Sequence, residues 1–392
     1  MTSNISWLLL LTSFVGADDG SKLVKVLIFS RHNVRSPLSD VHESYSSKPW
    51  PTWPNEFGTL TPRGWLLERI MAKYISLWLQ QVHFPVDCST NVDIYTNNIE
   101  RTISSGYAFV EGAFPQCGFP VRYDSGSTID PIFSYSSRNL TPEYEEGVQR
   151  YLKNKLLEID LRESLELMQD IVDVKNSPKC KEEGVCDLMS WGHTISIVPD
   201  KEPLLHGPIA ISNKLVDTFL MQYYDGFDMK DVAWGLITNE TEWKMLLDIN
   251  KNYHDIIFND TNIARDLSLS LVKLLKKYLL EDDVKFRCLV GHDANVFTIT
   301  RLLNFTTYEL LGQNEKTPIG GKIVFQKWYD GNTDRHLLKI EYVYASFKQL
   351  RDMEELSLEN PPMRVTLEME GCSIDSDGFC MWNDFVQILE AI

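Results

Sequence analysis

The sequence predicts an α/β fold: a central, mainly parallel sheet flanked by helices, with a second, mostly helical domain inserted. Three observations predict it. The run LVKVLIFS (Leu23–Ser30) is continuously apolar and β-branched apart from one lysine, the mark of a strand buried on both faces. Strand signals alternate with amphipathic helices in the first third of the chain and return in KFRCLVGHDANV. Between them, residues 141–280 read as one helix after another.

Each element follows in turn. After the first strand comes SRHNVRSPL, then LTPRGWLLERIMAKYISLWLQQ, a helix with Thr61 as N-cap and Pro62 at its first position. Leu66, Ile70, Tyr74 and Leu77 give that helix an apolar stripe. VDIYT (Val92–Thr96) is a second strand, and NNIERTISSGYAFVEGAF leads from it into a helix with Arg101 near the N-terminus. The helical stretch contains EYEEGVQRYLKNKLLEIDLRESLELMQDIV, ISNKLVDTFLMQYY, ETEWKMLLDINKNYHDIIF and ARDLSLSLVKLLKKYLL. Near the end, KIVFQKWYD and RHLLKIEYVYAS form a hairpin around GNTD. The expected division is therefore a discontinuous α/β domain, 18–140 with 281–392, and a helical insert at 141–280. There is no internal repeat and no low-complexity tract.

A chain of 392 residues is long enough for a large core. Its 38 Lys and Arg against 55 Asp and Glu leave a net charge of −17, which argues against nucleic acid or an anionic membrane as partner. ISWLLLLTSFV (Ile5–Val15) followed by VGA reads as a signal peptide over residues 1–17, cleaved before Asp18. The run is too short to span a bilayer, and no second stretch is long enough. It lacks a basic residue before Lys22, and the alternative is a buried N-terminal segment. Export is the expectation: to the periplasm in a bacterium, otherwise secretion. Seven cysteines suit an oxidising compartment. Three close pairs suggest themselves, Cys88 with Cys117, Cys180 with Cys186 and Cys372 with Cys380, although spacing alone does not fix connectivity. Cys288 is left over in an apolar run and reads as a buried, inert thiol. No cysteine or histidine array has zinc spacing, so no metal and no cofactor is expected. Sequons at Asn139, Asn239, Asn259 and Asn304 permit glycosylation in a eukaryotic host.

The chemistry gathers at strand ends. His32 lies between Arg31 and Arg35 after the first strand, and His292 with Asp293 follows CLVG. Open α/β sheets bind ligands outside the carboxyl ends of their strands, so both motifs share one rim. Arg101 joins from a third strand end, in the first turn of a helix whose N–H groups attract anions. Singly, each residue has an ordinary reading as a surface arginine or a polar strand end. Jointly, three arginines and two histidines on one rim make a phosphate site, since the guanidinium fork suits phosphate oxygens and keeps its charge.

RHNVR with Pro37, LTPRG, ERT ahead of AFVEGAFPQC, DPIF, and GHDAN followed by TPIGGKIVFQKW occur in this order over essentially the whole mature chain. In this the chain resembles the histidine acid phosphatases, and more narrowly their bacterial periplasmic branch of glucose-1-phosphatases and phytases. The usual signature there is RHG; this chain carries Asn33 in place of the glycine, as the glucose-1-phosphatase group does. LLGQNEKTPIGGKIVFQKWYD and GCSIDSDGFC point the same way. The resemblance implies that His32 is the nucleophile, that Arg31, Arg35, Arg101 and His292 hold the phosphoryl group, and that Asp293 protonates the leaving alcohol. It implies a small phosphate monoester as substrate, most simply glucose 1-phosphate, and an acidic pH optimum, because Asp293 must carry a proton. Asn33 and Glu202, the latter in the loop DKEPLLHGP, are the candidates for contacting sugar hydroxyls. His193, His206 and His254 are read as structural or exposed. A monomer or homodimer is equally compatible. Alternatives are a phytase, a broad acid phosphatase, a mutase of the same superfamily, and an inactive sugar-phosphate-binding protein. The export signal argues against the mutase, and the intact His32, Arg101 and Asp293 argue against the binding protein.

Overall fold

A computed structural model describes residues 20–134, 141–198 and 201–392. The expected signal peptide and the sequon at Asn139 lie outside the described residues. The first strand, β1 (Ser21–Arg31), is followed by α1 (Pro62–Gln81), β2 (Val92–Thr96), α2 (Glu100–Ala113) and β3 (Val121–Arg122). Then come α3 (Pro142–Glu158), α4 (Arg162–Val172), α5 (Pro178–Glu183) and a small hairpin of β4 (Thr194–Ser196) and β5 (Leu204–His206). Helices α6 (Pro208–Tyr224), α7 (Glu240–Phe258) and α8 (Thr261–Leu280) complete the helical stretch. The chain returns through β6 (Phe286–Gly291), α9 (Asp293–Leu302), β7 (Lys322–Asp330), β8 (Arg335–Tyr344) and α10 (Phe347–Asp352). It ends with β9 (Met363–Thr366), β10 (Cys380–Met381) and α11 (Trp382–Ala391).

The main sheet runs β10-β8-β7-β1-β6-β2-β3, with β9 paired to β8. It is the α/β sheet the sequence predicts, parallel from β1 through β6 and β2 to β3 and continued by an antiparallel flank of β7, β8, β9 and β10. β1 lies at its centre and is buried from Lys25 to Arg31. Fully buried side chains such as Val26, Ile28 and Phe29 each contribute roughly 1.5–3 kcal/mol. The one lysine of the run, Lys25, is buried too. Its ammonium donates to the carbonyls of Tyr278 and Leu279 at 3.3 Å, so it satisfies the unpaired C-terminal end of α8.

Register decides where the chemistry sits. Arg31 at the end of β1 faces Gly291 at the end of β6, so the next residues, His32 and His292, emerge side by side. Thr96 of β2 faces Val290, which starts the turn into α2 and Arg101 at the same level. The start of α1 is fixed as expected, with Pro62 in the first turn and Thr61 Oγ1 accepting from Gly64 N–H. Gly64 is required there because a Cβ would lie 2.2 Å from the Val34 carbonyl. The helix is thereby pressed onto the loop that follows His32. All three cysteine pairs are disulfides, and Cys288 is free and buried, its thiol pushed by burial up to about 12. Among the described residues no helix is long and apolar enough to cross a membrane.

Candidate active site

His32 is buried at the carboxyl end of β1. Its Nδ1 lies 2.8 Å from the carbonyl oxygen of Asn33, which can only accept. Nδ1 therefore carries the ring proton, and the lone pair of the neutral ring is on Nε2. Burial keeps His32 from protonating, and the charges of Arg101 and Arg31 and the nearby His292 and Arg35 add to that effect. His292 stands at the N-cap of α9, its ring 5.4 Å from that of His32 and at 68° to it. Arg101 donates to His292 Nδ1 at 3.3 Å, which leaves the proton on Nε2. Burial and the Arg101 charge hold His292 down to about 3, so it is a neutral N–H donor at mildly acidic pH. Two adjacent imidazoles thus have opposite tautomers, one ready to attack and one ready to donate.

Three guanidinium groups surround them. Arg31 donates to Glu315 Oε1 at 2.9 Å and lies 3.2 Å from Asp293 Oδ2. Arg35 makes a two-pronged pair with Asp217, each oxygen at 3.0 Å. Arg101 reaches the Gly58 carbonyl at 3.4 Å. Burial weakens the hold of Arg101 on its proton, to about 10, with Arg35 as the next cause. The Nε–H groups of Arg31, Arg35 and Arg101 are all buried and find no partner among the described residues. Buried donors without acceptors are costly, and a bound anion is one partner that could satisfy these.

Asp293 sits in the first turn of α9, its Oδ1 accepting from Ala294 N–H at 2.8 Å and its side chain 26% exposed. Burial favours its neutral form, but Arg31 outweighs that, with the Ala294 N–H adding to it, and holds the carboxyl well below the usual range. Asp293 is an ion-pair partner of Arg31. Three arginines face Asp217, Asp293 and Glu315, so the pocket is close to neutral before a phosphate enters.

One expectation needs correction. Asn33 does not offer its side chain to a substrate. It is 2% exposed, its amide donates to Glu68 Oε2 at 2.9 Å, and its oxygen accepts from Val34 N–H at 2.9 Å. Glu68 is also paired with Lys322, whose ammonium reaches Ser30 Oγ, making a buried polar layer beneath His32. His254, read as structural or exposed, is buried on α7, and its Nε2 lies 3.7 Å from Asp293 Oδ2. Glu202 remains exposed in the loop before β5. Tyr253, kept protonated first by burial, feels both Glu202 and Asp293, which puts Glu202 on the same side of the molecule as the site. His193 is half-buried and His206 exposed, as expected. Asp217, Glu315 and Glu68 gave no local signal, since each lies in an unremarkable helix or loop. An open cleft of about 1020 Å³, lined by Tyr223, Trp243, Phe347 and Glu315 among others, contains none of the histidines or arginines above.

Fold and site together define a phosphatase of the histidine acid class, and similarity to known proteins narrows the class. No family model matches the chain. It is 38% identical to the glucose-1-phosphatase of Salmonella typhimurium over 394 aligned residues, covering 97% of this chain and 95% of that one. It is 37% identical to the glucose-1-phosphatase of Providencia rettgeri, over 94% and 91%. The structure of Hafnia alvei phytase in complex with myo-inositol hexakis sulphate superposes with a TM-score of 0.86 at 28% identity, over 96% of this chain and 98% of that one. The chain belongs to the glucose-1-phosphatase family within the histidine acid phosphatases.

Proposed function

We propose that this phosphatase is an exported enzyme that hydrolyses sugar phosphate monoesters, glucose 1-phosphate foremost, through a phosphohistidine on His32 Nε2. The observation that carries the reading is the His32 ring itself: proton fixed on Nδ1, lone pair on Nε2, three arginines around it. The phosphoryl oxygens take the free donors of Arg31, Arg35 and Arg101 and the Nε2–H of His292. Nε2 of His32 attacks phosphorus, the ester P–O bond breaks, and Asp293 delivers a proton to the departing alkoxide. Water then attacks the phosphohistidine, Asp293 takes back a proton, the P–N bond breaks, and phosphate leaves. The arginines hold the charge that develops on the transferring group, in a pocket where burial strengthens every such contact.

The substrate's own charge prepares the acid. A phosphate dianion on Arg31 competes with Asp293 for that guanidinium. As Arg31 turns to the phosphate, the main influence that keeps Asp293 ionised weakens, and burial then favours its protonated form. Three disulfides suit export to an oxidising compartment.

Glucose 1-phosphate is favoured over phytate on charge. Asp217, Asp293 and Glu315 already balance the arginines, and exposed Glu202 stands beside exposed Lys201, so the site offers no excess of positive charge to phosphates outside the cleaved position. The expected kcat/KM for glucose 1-phosphate exceeds that for phytate by about tenfold, or ~1.4 kcal/mol in barrier. Steady-state rates on both substrates at one pH and ionic strength test this, and a preference for phytate moves the enzyme to the phytase reading. Acid-labile phosphate should be trapped on the wild type and not on His32→Ala.

A further inference from the structure

His254 touches none of the groups assigned to the phosphate, yet its placement is specific. It lies on α7, its ring stacked on Phe297 of α9 at 4.9 Å and 8°, and buried. Its Nδ1 is 2.8 Å from the carbonyl of Asn250, one turn back on the same helix. A carbonyl accepts only, so Nδ1 bears the proton and the neutral ring presents the Nε2 lone pair. That nitrogen faces Asp293 Oδ2 at 3.7 Å. The other carboxyl oxygen, Oδ1, is occupied by Ala294 N–H, so a proton on Asp293 belongs on Oδ2. In the empty site Oδ2 is held by Arg31 at 3.2 Å. The charged groups around the ring are Asp293 on α9, Arg31 at the end of β1 and Asp217 on α6.

Building on the phosphatase reading, we infer that His254 is a positioning residue for the general acid: with phosphate on Arg31, His254 Nε2 and Asp293 Oδ2 share one proton. In that complex the Oδ2–H donates to Nε2, or the carboxylate accepts from a protonated ring. Either arrangement keeps a proton at Oδ2's side of the pocket until the P–O bond breaks. The proton then passes from Oδ2 to the leaving oxygen, leaving Asp293 as carboxylate and His254 neutral. When water attacks the phosphohistidine, its proton returns to the same pair. Stacking on Phe297 and the Nδ1 anchor hold the ring still, so the lone pair stays aimed at Oδ2 through both half-reactions.

The test compares wild type, His254→Phe and His254→Gln in the full chain on two esters. Glycerol 2-phosphate has a poor leaving group that needs a proton, whereas p-nitrophenyl phosphate has one that leaves largely unaided. His254→Phe keeps the aromatic stack but has no acceptor. It should lower kcat on glycerol 2-phosphate by about tenfold and change p-nitrophenyl phosphate less than about twofold. The alkaline limb of kcat for glycerol 2-phosphate should move to lower pH by about one unit, because an acceptor stabilises the protonated acid and its loss lets the proton go sooner. His254→Gln, which restores an amide oxygen at that depth, should recover part of the shift. Equal losses on both esters with an unmoved limb would make His254 a packing residue and overturn the inference. A wild type inert towards both esters would overturn the phosphatase reading itself, and this one with it.

Discussion

His32 and His292 carry the same ring and are given different work by what each Nδ1 meets. The Asn33 carbonyl makes His32 Nδ1 a donor and leaves the Nε2 lone pair free; the Arg101 guanidinium makes His292 Nδ1 an acceptor and leaves Nε2 as a donor. The arginine–histidine clusters were legible in the sequence because residues just after a strand share an edge whatever the rest of the fold does. The role of Asn33 was not, since its partner Glu68 lies a turn and a half into α1 and nothing local pairs the two. His254 was not either: a histidine inside a helical stretch has no local mark that distinguishes the face turned towards Asp293. The role of Asp293 gives a residue-scale prediction. Asp293→Asn should reduce kcat on glucose 1-phosphate by about 10²–10³ and on p-nitrophenyl phosphate by about tenfold or less, since only the first needs its leaving oxygen protonated. Parallel losses on the two substrates would remove Asp293 from the acid role.

At the scale of elements, the parallel pairing of β1 with β6 does most to build the site. It brings together motifs 260 residues apart, Arg31 facing Gly291 across the ladder. A buried-strand reading of LVKVLIFS and FRCLVG predicted the elements, and both strands are buried along most of their length. What the sequence did not supply is the floor beneath the loop. Gly320, in the turn before β7, has φ +64°, and its N–H donates to the His32 carbonyl at 3.1 Å. A Cβ there would sit 2.4 Å from Asn33 Nδ2. Gly320→Ala must therefore push on the Asn33–Glu68 contact and adopt a backbone conformation that L side chains resist. The expected cost is about 1–3 kcal/mol of stability, with kcat lowered more than substrate affinity because the nucleophile's own loop moves. Thermal unfolding and steady-state kinetics on p-nitrophenyl phosphate check this, and a variant matching wild type in both would show that the loop gives way without consequence. The small β4–β5 hairpin and the inward faces of α6 and α7 escaped the sequence reading because each is set by tertiary packing rather than by a local pattern.

At the scale of the whole molecule, a body of net charge −17 surrounds a site whose three arginines are matched by Asp217, Asp293 and Glu315. The same burial that keeps the histidines neutral ties stability to pH. His32, His193, His254 and His292 are all held below the ordinary histidine value, by burial first in each case, with His292 reaching about 3. In the unfolded chain these rings protonate near 6.5, so below that pH the unfolded state binds more protons than the folded one. Stability is therefore greatest above about pH 6.5 and is lost as pH falls towards the folded values. The Asp293 carboxyl, held low by Arg31 against its burial, acts in the same direction but at lower pH. Its contribution is present above about 3.8 and is lost only below that, so it adds nothing to the slope between pH 7 and pH 5. The melting temperature of the substrate-free protein should thus fall steadily from pH 7 to pH 5, in the range where the phosphatase is expected to work. Inorganic phosphate should restore part of it by occupying the arginines, by roughly 2.7 kcal/mol at a hundred times its Kd. His292→Asn, which removes one of the rings from the balance, should flatten the slope. A melting temperature that is level or rising between pH 7 and pH 5 would mean that these rings are protonated in the folded protein, and the neutral tautomers assigned to His32 and His292 would have to be given up.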